Sequence, residues 1–287
     1  MSAKQDDMTG RVCLVTGANA GIGKATARGL AAAGAEVLIV CRSRERGSAA
    51  RDEIIAETGN AQVSVWVADL ARQDDIRQLA AAIQEQFPAL HVLINNAAII
   101  PQKWMESPDG YELQFAVNHL APFLFTNLLL DQLKTGAPAR IITVSSQTHS
   151  GMRIPFDDLQ SLYSTYHPSR TYAWTKLANI LFTYELARRL AGTGVTANTL
   201  HPGVVNTNLL YDYMGRPRTT RQRSGASGLS AEEGAVTSLY LACSPEVATV
   251  TGSYFRDQRA VKSSPASYDR AAARQLWAIS AELTRLQ

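Results

Sequence analysis

The sequence predicts an α/β fold in which a doubly wound parallel sheet carries helices on both faces. Short apolar runs alternate with helical segments over the first 200 residues, which is the pattern of a parallel sheet with crossover helices. The runs are continuously apolar rather than alternating, as expected for strands that are buried on two sides. A glycine-rich turn joins the first run to the first helix, the usual place of a phosphate-binding loop.

The predicted elements follow in order from composition and spacing. Six runs have the length and the Val, Ile and Leu content of buried strands: 12–15, 36–41, 63–67, 91–94, 140–145 and 195–200. Five segments have helical composition and spacing: 21–33, 44–57, 74–86, 110–133 and 169–190. Two stretches, 151–168 and 208–228, are expected to be long loops. Both follow strands, so we expect them to rim a ligand site beyond the carboxyl edge of the sheet.

Bulk composition limits the class of protein. A chain of 287 residues with 46% hydrophobic residues suits one large domain spanning 1–287. A net charge of +3 spread along the chain predicts no nucleic-acid partner. The one local basic cluster lies in the 208–228 loop and is interpreted as solvated: Arg216, Arg218, Arg221 and Arg223.

Cysteine, histidine and apolar content predict a reduced, metal-free and cytoplasmic protein. The three cysteines lie in apolar surroundings and form no disulfide framework: Cys13, Cys41 and Cys243. The five histidines show no metal-ligand spacing, so no metal site is expected. The first ten residues are mainly polar. No apolar run is as long as a membrane span, which needs about 20 residues. We therefore expect no membrane anchor.

The glycine-rich turn is predicted to bind a dinucleotide. Gly17, Gly21 and Gly23 have the spacing Gly-x-x-x-Gly-x-Gly between a strand and a helix N-terminus. Backbone N–H groups and the helix dipole favour an anion there, and glycine lets it approach closely. A lone glycine pattern would also fit an ordinary tight turn. The strand before it and the helix after it favour the nucleotide interpretation.

A second motif, Tyr172 and Lys176, points to proton transfer. Residues four apart share one face of a helix. An ammonium beside a phenol lowers the pKa of the phenol, which then exchanges protons near neutral pH. Alone, this spacing also fits an ordinary surface helix. Its combination with the glycine turn favours the chemical interpretation.

Together these motifs resemble the short-chain dehydrogenases/reductases of the classical type, and the resemblance runs nearly end to end. Asn95-Asn96-Ala97-Ala98 is similar to the family's Asn-Asn-Ala-Gly motif, with Ala98 in place of the final glycine. Within the family, the chain most resembles the retinol-dehydrogenase-like branch. The segments that carry this likeness are 41–43, 154–159, 176–179, 201–205, 231–235 and the tail around 276–277.

The resemblance implies a single Rossmann-type domain and a set of site residues. Residues 10–100 would mainly bind the cofactor, and residues 101–287 would hold the catalytic and substrate-binding half with a lid near 208–228. The implied catalytic residues are Asn118, Ser146, Tyr172 and Lys176. The implied cofactor contacts are Gly17, Asn19, Ala20, Gly21, Ile22, Gly23, Arg42, Asp69, Leu70, Asn96, Ala97, Tyr172, Lys176, Pro202, Gly203, Val205 and Thr207.

For several of these residues, a simpler structural role is an alternative to the role that the resemblance implies. Tyr172 would be the general acid/base, and Lys176 would lower its pKa and hold the nicotinamide ribose. Ser146 would bind the substrate oxygen, although a serine at a strand end also caps turns. Asn118 would anchor a proton-relay water, although a helical asparagine also satisfies backbone groups. Asn95 is expected to brace the central strands.

The cofactor is predicted to be NADP(H). NAD-specific sites place a carboxylate at the end of the second strand, whereas an arginine accommodates the 2′-phosphate of NADP. Here Cys41 is followed by Arg42, and Arg44 and Arg46 come next. Arg42 could instead point into solvent. Asp69 is expected to contact adenine, to serve as a helix N-cap, or both.

The predicted reaction is alcohol–carbonyl interconversion on a small-molecule substrate, in a homodimer or homotetramer. Apolar residues of the rim loops could line a hydrophobic pocket or anchor the loops: Trp104, Met105, Tyr163, Tyr166, Leu209, Leu210, Tyr211, Tyr213 and Met214. A carbon–carbon double-bond reductase of the protochlorophyllide-reductase-like type is the alternative with the same motifs. An epimerase or dehydratase fits the glycine spacing less well. A non-catalytic NADP-binding sensor would typically lack the tyrosine or lysine.

Overall fold

One mixed sheet organises the chain. The computed structural model describes residues 7–161, 166–215 and 228–286. In these residues the strands form a single sheet in the order β3-β2-β1-β4-β5-β6-β7-β8. They are β1 Val12–Thr16, β2 Glu36–Cys41, β3 Val63–Val67, β4 Val92–Asn95, β5 Ala139–Val144, β6 Val195–His201, β7 Tyr254–Arg256 and β8 Arg259–Val261. All neighbours are parallel except β7 and β8, which form an antiparallel hairpin. The predicted doubly wound α/β class is confirmed.

Helices cover both faces of the sheet. Within the described residues the α-helices are α1 Gly21–Ala32, α2 Arg44–Thr58, α3 Gln73–Gln86, α4 Leu113–Phe115, α5 Ala121–Leu128, α6 Leu130–Thr135, α7 Pro168–Arg189, α8 Asn208–Tyr213, α9 Ala231–Cys243 and α10 Arg270–Leu283. Adjacent residues of β1 face opposite sides of the sheet and enter different core clusters. Leu14 packs with α3 and α5, while Val15 packs with α1 and α9. Strands buried on both sides explain the continuously apolar runs.

The single helix predicted over 110–133 is wrong in detail. The structure begins at Leu113 and passes through α4, a π-helical turn Ala116–Leu120, α5 and α6. Pro122 lacks the N–H that an α-helix would donate to the carbonyl of Asn118. The backbone therefore departs from α-helical bonding at the turn that carries Asn118.

The C-terminal third contains elements that the sequence patterns did not predict. The expected loop 208–228 begins with α8, and residues 216–227, including Arg216, Arg218, Arg221 and Arg223, lie outside the described residues. The strands β7 and β8 are only three residues long, too short for a periodicity signal.

The helix α10 packs across α7 and closes one face of the fold. The Trp277 ring lies 5.0 Å from the Phe123 ring and 5.8 Å from the Phe182 ring, measured between centroids. Ser280 Oγ is hydrogen bonded to His119 Nε2 at 2.9 Å. The backbone carbonyl of Leu283 accepts from Tyr111 Oη at 2.9 Å. No helix in the described ranges has the length and apolarity to span a membrane.

The carboxyl ends of the central strands meet at one edge. Val15 pairs with Ile94, Asn95 with Thr143, and Val144 with Leu200. The turns that follow β1, β4, β5 and β6 therefore lie side by side. This edge holds most of the predicted site.

Candidate active site

Three positions in the turn between β1 and the start of α1 require glycine. Gly17 and Gly21 have φ of +66° and +55°, in the left-handed region that favours glycine. A Cβ on Gly23 would lie 2.4 Å from the carbonyl oxygen of Gly17. The N-cap of α1 is Ala20, which has no side-chain hydrogen bond to the first turn. The first backbone N–H groups of α1 therefore suit an anionic ligand.

Thr16 and Asn96 lock this turn to the end of β4. Thr16 Oγ1 accepts hydrogen bonds from the backbone N–H of Asn96 at 3.0 Å and of Ala97 at 3.1 Å. Asn96 Nδ2 donates to the Thr16 carbonyl oxygen at 2.8 Å. Asn95 instead donates to Thr126 Oγ1 at 2.9 Å and so braces α5. From the sequence, Thr16 was given no role of its own, although it stands directly before the first glycine of the predicted cofactor loop.

The end of β2 carries exposed arginines. Arg42, Arg44 and Arg46 are all exposed, and among the described residues none of them forms an ion pair. Ser43 caps α2 by accepting from the backbone N–H of Arg46 at 3.3 Å. The cap fixes the start of α2 and leaves the Arg42 guanidinium at the surface beyond β2.

Asp69 and Leu70 follow β3 at the same edge. Asp69 Oδ1 accepts from the backbone N–H of Ala71 at 3.0 Å. The N-cap of α3 is Arg72, so the interpretation of Asp69 as a helix N-cap is wrong. Its carboxylate instead closes a short turn before the helix. Leu70 lines a small cavity together with Ala97.

Ser146, Tyr172 and Lys176 converge where β5 ends and α7 passes. Lys176 Nζ donates to the Val144 carbonyl oxygen at 3.0 Å and lies 5.3 Å from the centroid of the Tyr172 ring. The two side chains are 1% and 7% exposed. Ser145 Oγ donates to the Lys176 carbonyl oxygen at 2.8 Å, which fixes α7 against the strand end.

Burial dominates the electrostatics of the pair. Desolvation lowers the pKa of Lys176 to about 7. Desolvation also raises the pKa of Tyr172, and a hydrogen bond with Ser146 opposes this effect. The net shift at Tyr172 is therefore opposite in direction to the lowered pKa that the Tyr172–Lys176 spacing predicted, because burial disfavours the charged form of the phenol. The influence of Lys176 on Tyr172 stays a prediction.

Asn118 bridges the loop after β4 and α7. Its Oδ1 accepts from the backbone N–H of Ile99 at 2.9 Å, and its Nδ2 donates to the Ile99 carbonyl oxygen at 3.1 Å and to Thr175 Oγ1 at 3.3 Å. The simpler interpretation of Asn118, satisfaction of backbone groups, is present in the structure. The side chain thus holds Ile99 beside the helix that carries Tyr172.

The segment after β6 meets the glycine turn. Gly203 has φ of +88°. A Cβ on Gly21 would lie 3.3 Å from Thr207 Cγ2, and one on Gly234 would lie 2.6 Å from Val205 Cγ2. Val205 also pairs with Leu229 in an isolated parallel bridge. This bridge ties together the two ends of the segment that includes residues 216–227.

A cleft of about 500 Å³ opens between these elements. Its lining includes Ser146 and Tyr172, the segment 202–205 and Thr207. Apolar side chains make up most of the remaining wall: Ile22, Ile100, Leu209, Leu210 and Tyr213. The Tyr213 ring lies 5.9 Å from the Tyr172 ring in an edge-on arrangement. The helix α8 therefore covers the Tyr172 ring.

The apolar residues of the rim loops have two different roles: some line the cleft, and others anchor the loops. Leu209, Leu210 and Tyr213 line the cleft, whereas the other described rim residues are not part of its lining. Trp104 Nε1 donates to the Gln160 carbonyl oxygen at 3.2 Å, and Tyr166 Oη donates to the Pro101 carbonyl oxygen at 2.6 Å. These two anchor loops. Met105 is 51% exposed, Tyr211 and Met214 lie on or directly after α8, and Tyr163 lies outside the described residues.

The geometry places most predicted site residues at one edge of the sheet. Cleft-lining residues that were given no site role from the sequence are Ile100, Ser145, Gln147, Thr148, His201 and Val204. The available signals were the closeness of Ser145, Gln147 and Thr148 to Ser146 and the place of His201 and Val204 in the family-like segment 201–205. In the described residues no group of three or more His, Cys, Asp or Glu could hold a metal ion.

Comparison with known proteins assigns this architecture. The family model "short chain dehydrogenase" matches residues 11–214. Retinol dehydrogenase 14 of Mus musculus is 44% identical over 287 residues, which cover 95% of this chain and 85% of the relative. Retinol dehydrogenase 13 of Homo sapiens is 43% identical and covers 97% of this chain and 86% of its own length.

Solved structures share the fold. An uncharacterised protein of Mycobacterium paratuberculosis is 35% identical with a TM-score of 0.80, covering 98% of this chain and 96% of that protein. A short chain dehydrogenase from Burkholderia cenocepacia J2315, determined in complex with NADP, is 28% identical with a TM-score of 0.68. That match covers 87% of this chain and 97% of the other.

Proposed function

This chain belongs to the short-chain dehydrogenase family, in its retinol-dehydrogenase-like branch, and from that premise we propose that it is an NADP(H)-dependent oxidoreductase. The proposed reaction interconverts an alcohol and a carbonyl on a lipophilic substrate. The observation that carries the proposal is the convergence of Ser146, Tyr172 and Lys176 beside one cleft. A fold alone would not indicate a reaction.

Tyr172 is the proposed proton donor to the carbonyl oxygen. Burial raises the pKa of Tyr172, so its hydroxyl stays protonated at neutral pH and is ready to donate. When bound, the nicotinamide supplies or accepts the hydride.

Ser146 and Lys176 support this proton transfer. The Ser146 hydroxyl interacts with Tyr172 and lines the same cleft, so a carbonyl oxygen that reaches Tyr172 also reaches Ser146. With its pKa near 7, Lys176 can exchange a proton at cellular pH and return one towards the tyrosine. Lys176 is also the proposed partner of the nicotinamide ribose.

Asn118 is proposed to hold the relay from Lys176 towards solvent. Pro122 provides no α-helical donor to the Asn118 carbonyl, so the backbone at Asn118 departs from regular α-helical bonding. The side-chain bonds of Asn118 to Ile99 keep the turn in place.

The residues present suit a dinucleotide, and we propose NADP(H). The proposed contacts are the glycine turn with Asn19, Ala20 and Ile22, then Asp69 and Leu70, Asn96 and Ala97, and the segment with Pro202, Gly203, Val205 and Thr207. Support for NADP comes from Arg42 with Arg44 and Arg46 at the surface beyond β2, since a guanidinium pairs bidentately with phosphate. The relative from Burkholderia cenocepacia J2315 was determined with NADP.

The experiment is a panel of aldehydes and ketones with NADPH consumption as the readout. We expect turnover of lipophilic carbonyls, and we expect Tyr172→Phe to abolish turnover while NADPH binding stays near normal. Retained turnover in Tyr172→Phe would refute the assigned role. Failure of every carbonyl together with reduction of an activated carbon–carbon double bond would favour the alternative reductase, and failure of both would favour a sensor.

The remaining assignments stay predictions. A cytoplasmic location is supported by three buried cysteines that form no disulfide within the described residues: Cys13, Cys41 and Cys243. The chain is proposed to divide into a cofactor-binding half, 10–100, and a catalytic half, 101–287. Support comes from the glycine-rich turn in the first half and the Tyr172–Lys176 pair in the second. A homodimer or homotetramer remains the expected assembly. Because α10 packs along α7 within the chain, a subunit contact through α7 would have to include α10.

A further inference from the structure

His149 lies three residues after Ser146 and is buried. It ends the short 3₁₀ helix Gln147–His149 and is 2% exposed. Its ring packs against the ring of Tyr254, with the two centroids 5.1 Å apart. Among the described residues, His149 is not part of the cleft lining. Any effect of His149 on the reaction therefore has to pass through another residue.

The two ring nitrogens of His149 have hydrogen-bond partners whose roles are fixed. Nδ1 lies 2.6 Å from the Ser146 carbonyl oxygen, which can only accept. The backbone N–H of Ser264, which can only donate, bonds to Nε2 at 3.0 Å. The ring is therefore the neutral tautomer with its hydrogen on Nδ1. Burial favours this neutral form, since it lowers the pKa of His149 more than the bond with Ser146 raises it.

The bond from Nδ1 fixes the peptide group that follows Ser146. The same carbonyl oxygen also accepts from the backbone N–H of His149 at 3.3 Å. At the other end of the residue, Ser146 Oγ accepts from the backbone N–H of Thr148 at 3.2 Å. Because Oγ accepts from Thr148, the hydroxyl hydrogen is left to donate towards Tyr172 or a substrate oxygen. The direction of this hydroxyl thus depends on the peptide group that His149 holds.

The other side of the His149 ring is anchored to α7, the helix that carries Tyr172. Nε2 accepts from Ser264, and the neighbouring Ser263 is hydrogen bonded through Oγ to Tyr184 Oη at 2.8 Å. Tyr184 lies on α7. These contacts connect α7, through the imidazole ring, to the carbonyl that Nδ1 holds at the end of β5.

We propose that His149 is a positioning residue for Ser146. Its neutral ring holds the Ser146 carbonyl and so directs the Ser146 hydroxyl towards the oxygen that Tyr172 protonates. This inference rests on the proposed alcohol–carbonyl activity. A donor whose hydrogen bond strengthens in the transition state contributes to kcat, and a small displacement of that donor weakens the contribution. Loss of both ring bonds is therefore expected to lower kcat and to leave KM nearly unchanged.

The test compares two variants with opposite deficits, using decanal and 2-decanone with NADPH. His149→Phe keeps an aromatic ring beside Tyr254 and loses both hydrogen bonds. His149→Asn leaves a cavity, but its Nδ2 takes the place of Nδ1 and can donate to the Ser146 carbonyl. We expect kcat to fall about tenfold to a hundredfold in His149→Phe and to stay within about threefold of the wild-type value in His149→Asn. In both variants KM and the Kd of NADPH should change less than about twofold.

Thermal unfolding separates positioning from stability. His149→Asn loses the Ser264 bond and the packing on Tyr254, so we expect it to be at least as destabilised as His149→Phe. A merely structural role would then make His149→Asn the less active variant. A kcat of His149→Asn that does not exceed that of His149→Phe would overturn the inference. If His149→Phe does not fold, His149→Leu, which also loses both hydrogen bonds, takes its place.

The matched control is His91→Phe. His91 Nδ1 accepts from the backbone N–H of Val12 at 3.0 Å. This bond lies where β1 and β4 begin, at the opposite edge of the sheet from Ser146. The control should therefore lose stability and keep the wild-type kcat. A fall in its kcat as large as that of His149→Phe would show that the loss is not specific to Ser146 and would overturn the inference.

NMR tests the His149 ring without any substrate. Long-range proton–nitrogen spectra of histidine-labelled wild-type protein should show the Nδ1–H tautomer for the signal that the His149 variants lose. An Nε2–H tautomer or an imidazolium at neutral pH would overturn the inference and leave the proposed function standing. No turnover of any carbonyl by the wild-type protein would instead overturn the proposed function, and with it a positioning role in that reaction.

Discussion

Replacement of Lys176 by methionine should stabilise the fold near neutral pH while it removes activity. Lys176 is 1% exposed, and burial lowers its pKa from 10.5 to about 7. Between these two values the unfolded chain carries the proton and the folded chain does not. The unfolded state thus binds more protons, and the stability of the wild-type protein rises with pH across this window.

The magnitude follows from these pKa values. Since each tenfold change in proton affinity is worth about 1.4 kcal/mol, the lysine costs the folded state about 4 kcal/mol at pH 7 and about 1 kcal/mol at pH 10. The variant also leaves the Val144 carbonyl without its donor, which costs about 1–2 kcal/mol at any pH. We expect Lys176→Met to gain about 2–3 kcal/mol at pH 7 and to gain almost nothing at pH 10.

The assay is urea unfolding followed by circular dichroism at pH 7, 8.5 and 10. The other titrating groups are shared by both proteins, so the difference between them isolates Lys176. The matched control is Lys134→Met, because the Lys134 side chain is 45% exposed and paired with Asp131. We expect its effect to stay within about 0.5 kcal/mol at every pH. A Lys176→Met difference that does not shrink as the pH rises would refute the argument from burial.

Three further variants test other parts of the chain. Arg42→Ala should weaken NADPH binding about tenfold in fluorescence titration and leave NADH within about twofold; equal loss for both cofactors would contradict the phosphate contact. Gly23→Ala places a Cβ 2.4 Å from the Gly17 carbonyl oxygen, so we expect a stability loss of about 1–3 kcal/mol and weakened NADPH binding, and wild-type values for both would be inconsistent with the tight turn. Ser230→Ala removes the capping box of α9 and should cost about 1 kcal/mol in thermal unfolding, while unchanged stability would show that the cap contributes nothing.

The sequence predicted the elements whose signals are local. The central strands β1 to β6 lie within about two residues of their predicted positions, because continuous apolar runs bounded by polar turns specify buried strands. The glycine turn was recognised from its spacing, and the structure gives the steric reason at Gly17 and Gly23. The elements that sequence reasoning missed are short or irregular, such as the β7–β8 hairpin and the π-helical turn around Asn118.

Sequence reasoning predicted which residues belong to the site better than it predicted which atoms those residues contact. It identified Ser146 and Tyr172, which the structure places beside one cleft. It did not predict that Thr16 accepts from the backbone N–H groups after β4, since these hydrogen bonds link segments about 80 residues apart. Nor could it distinguish the rim residues that line the cleft from those that anchor loops. Tyr166 and Tyr213 have the same side chain and differ only in what they contact.

The sequence by itself determined the fold class, the family and the identity of the groups in the proposed chemistry, because these follow from patterns within a few residues of one another. Tertiary structure alone decided how those groups behave. Burial sets the directions of the pKa changes at Tyr172 and Lys176, and it opposes the expectation drawn from their spacing. Desolvation and hydrogen-bond satisfaction depend on what lies around an atom in space, and distant segments of the chain supply those surroundings.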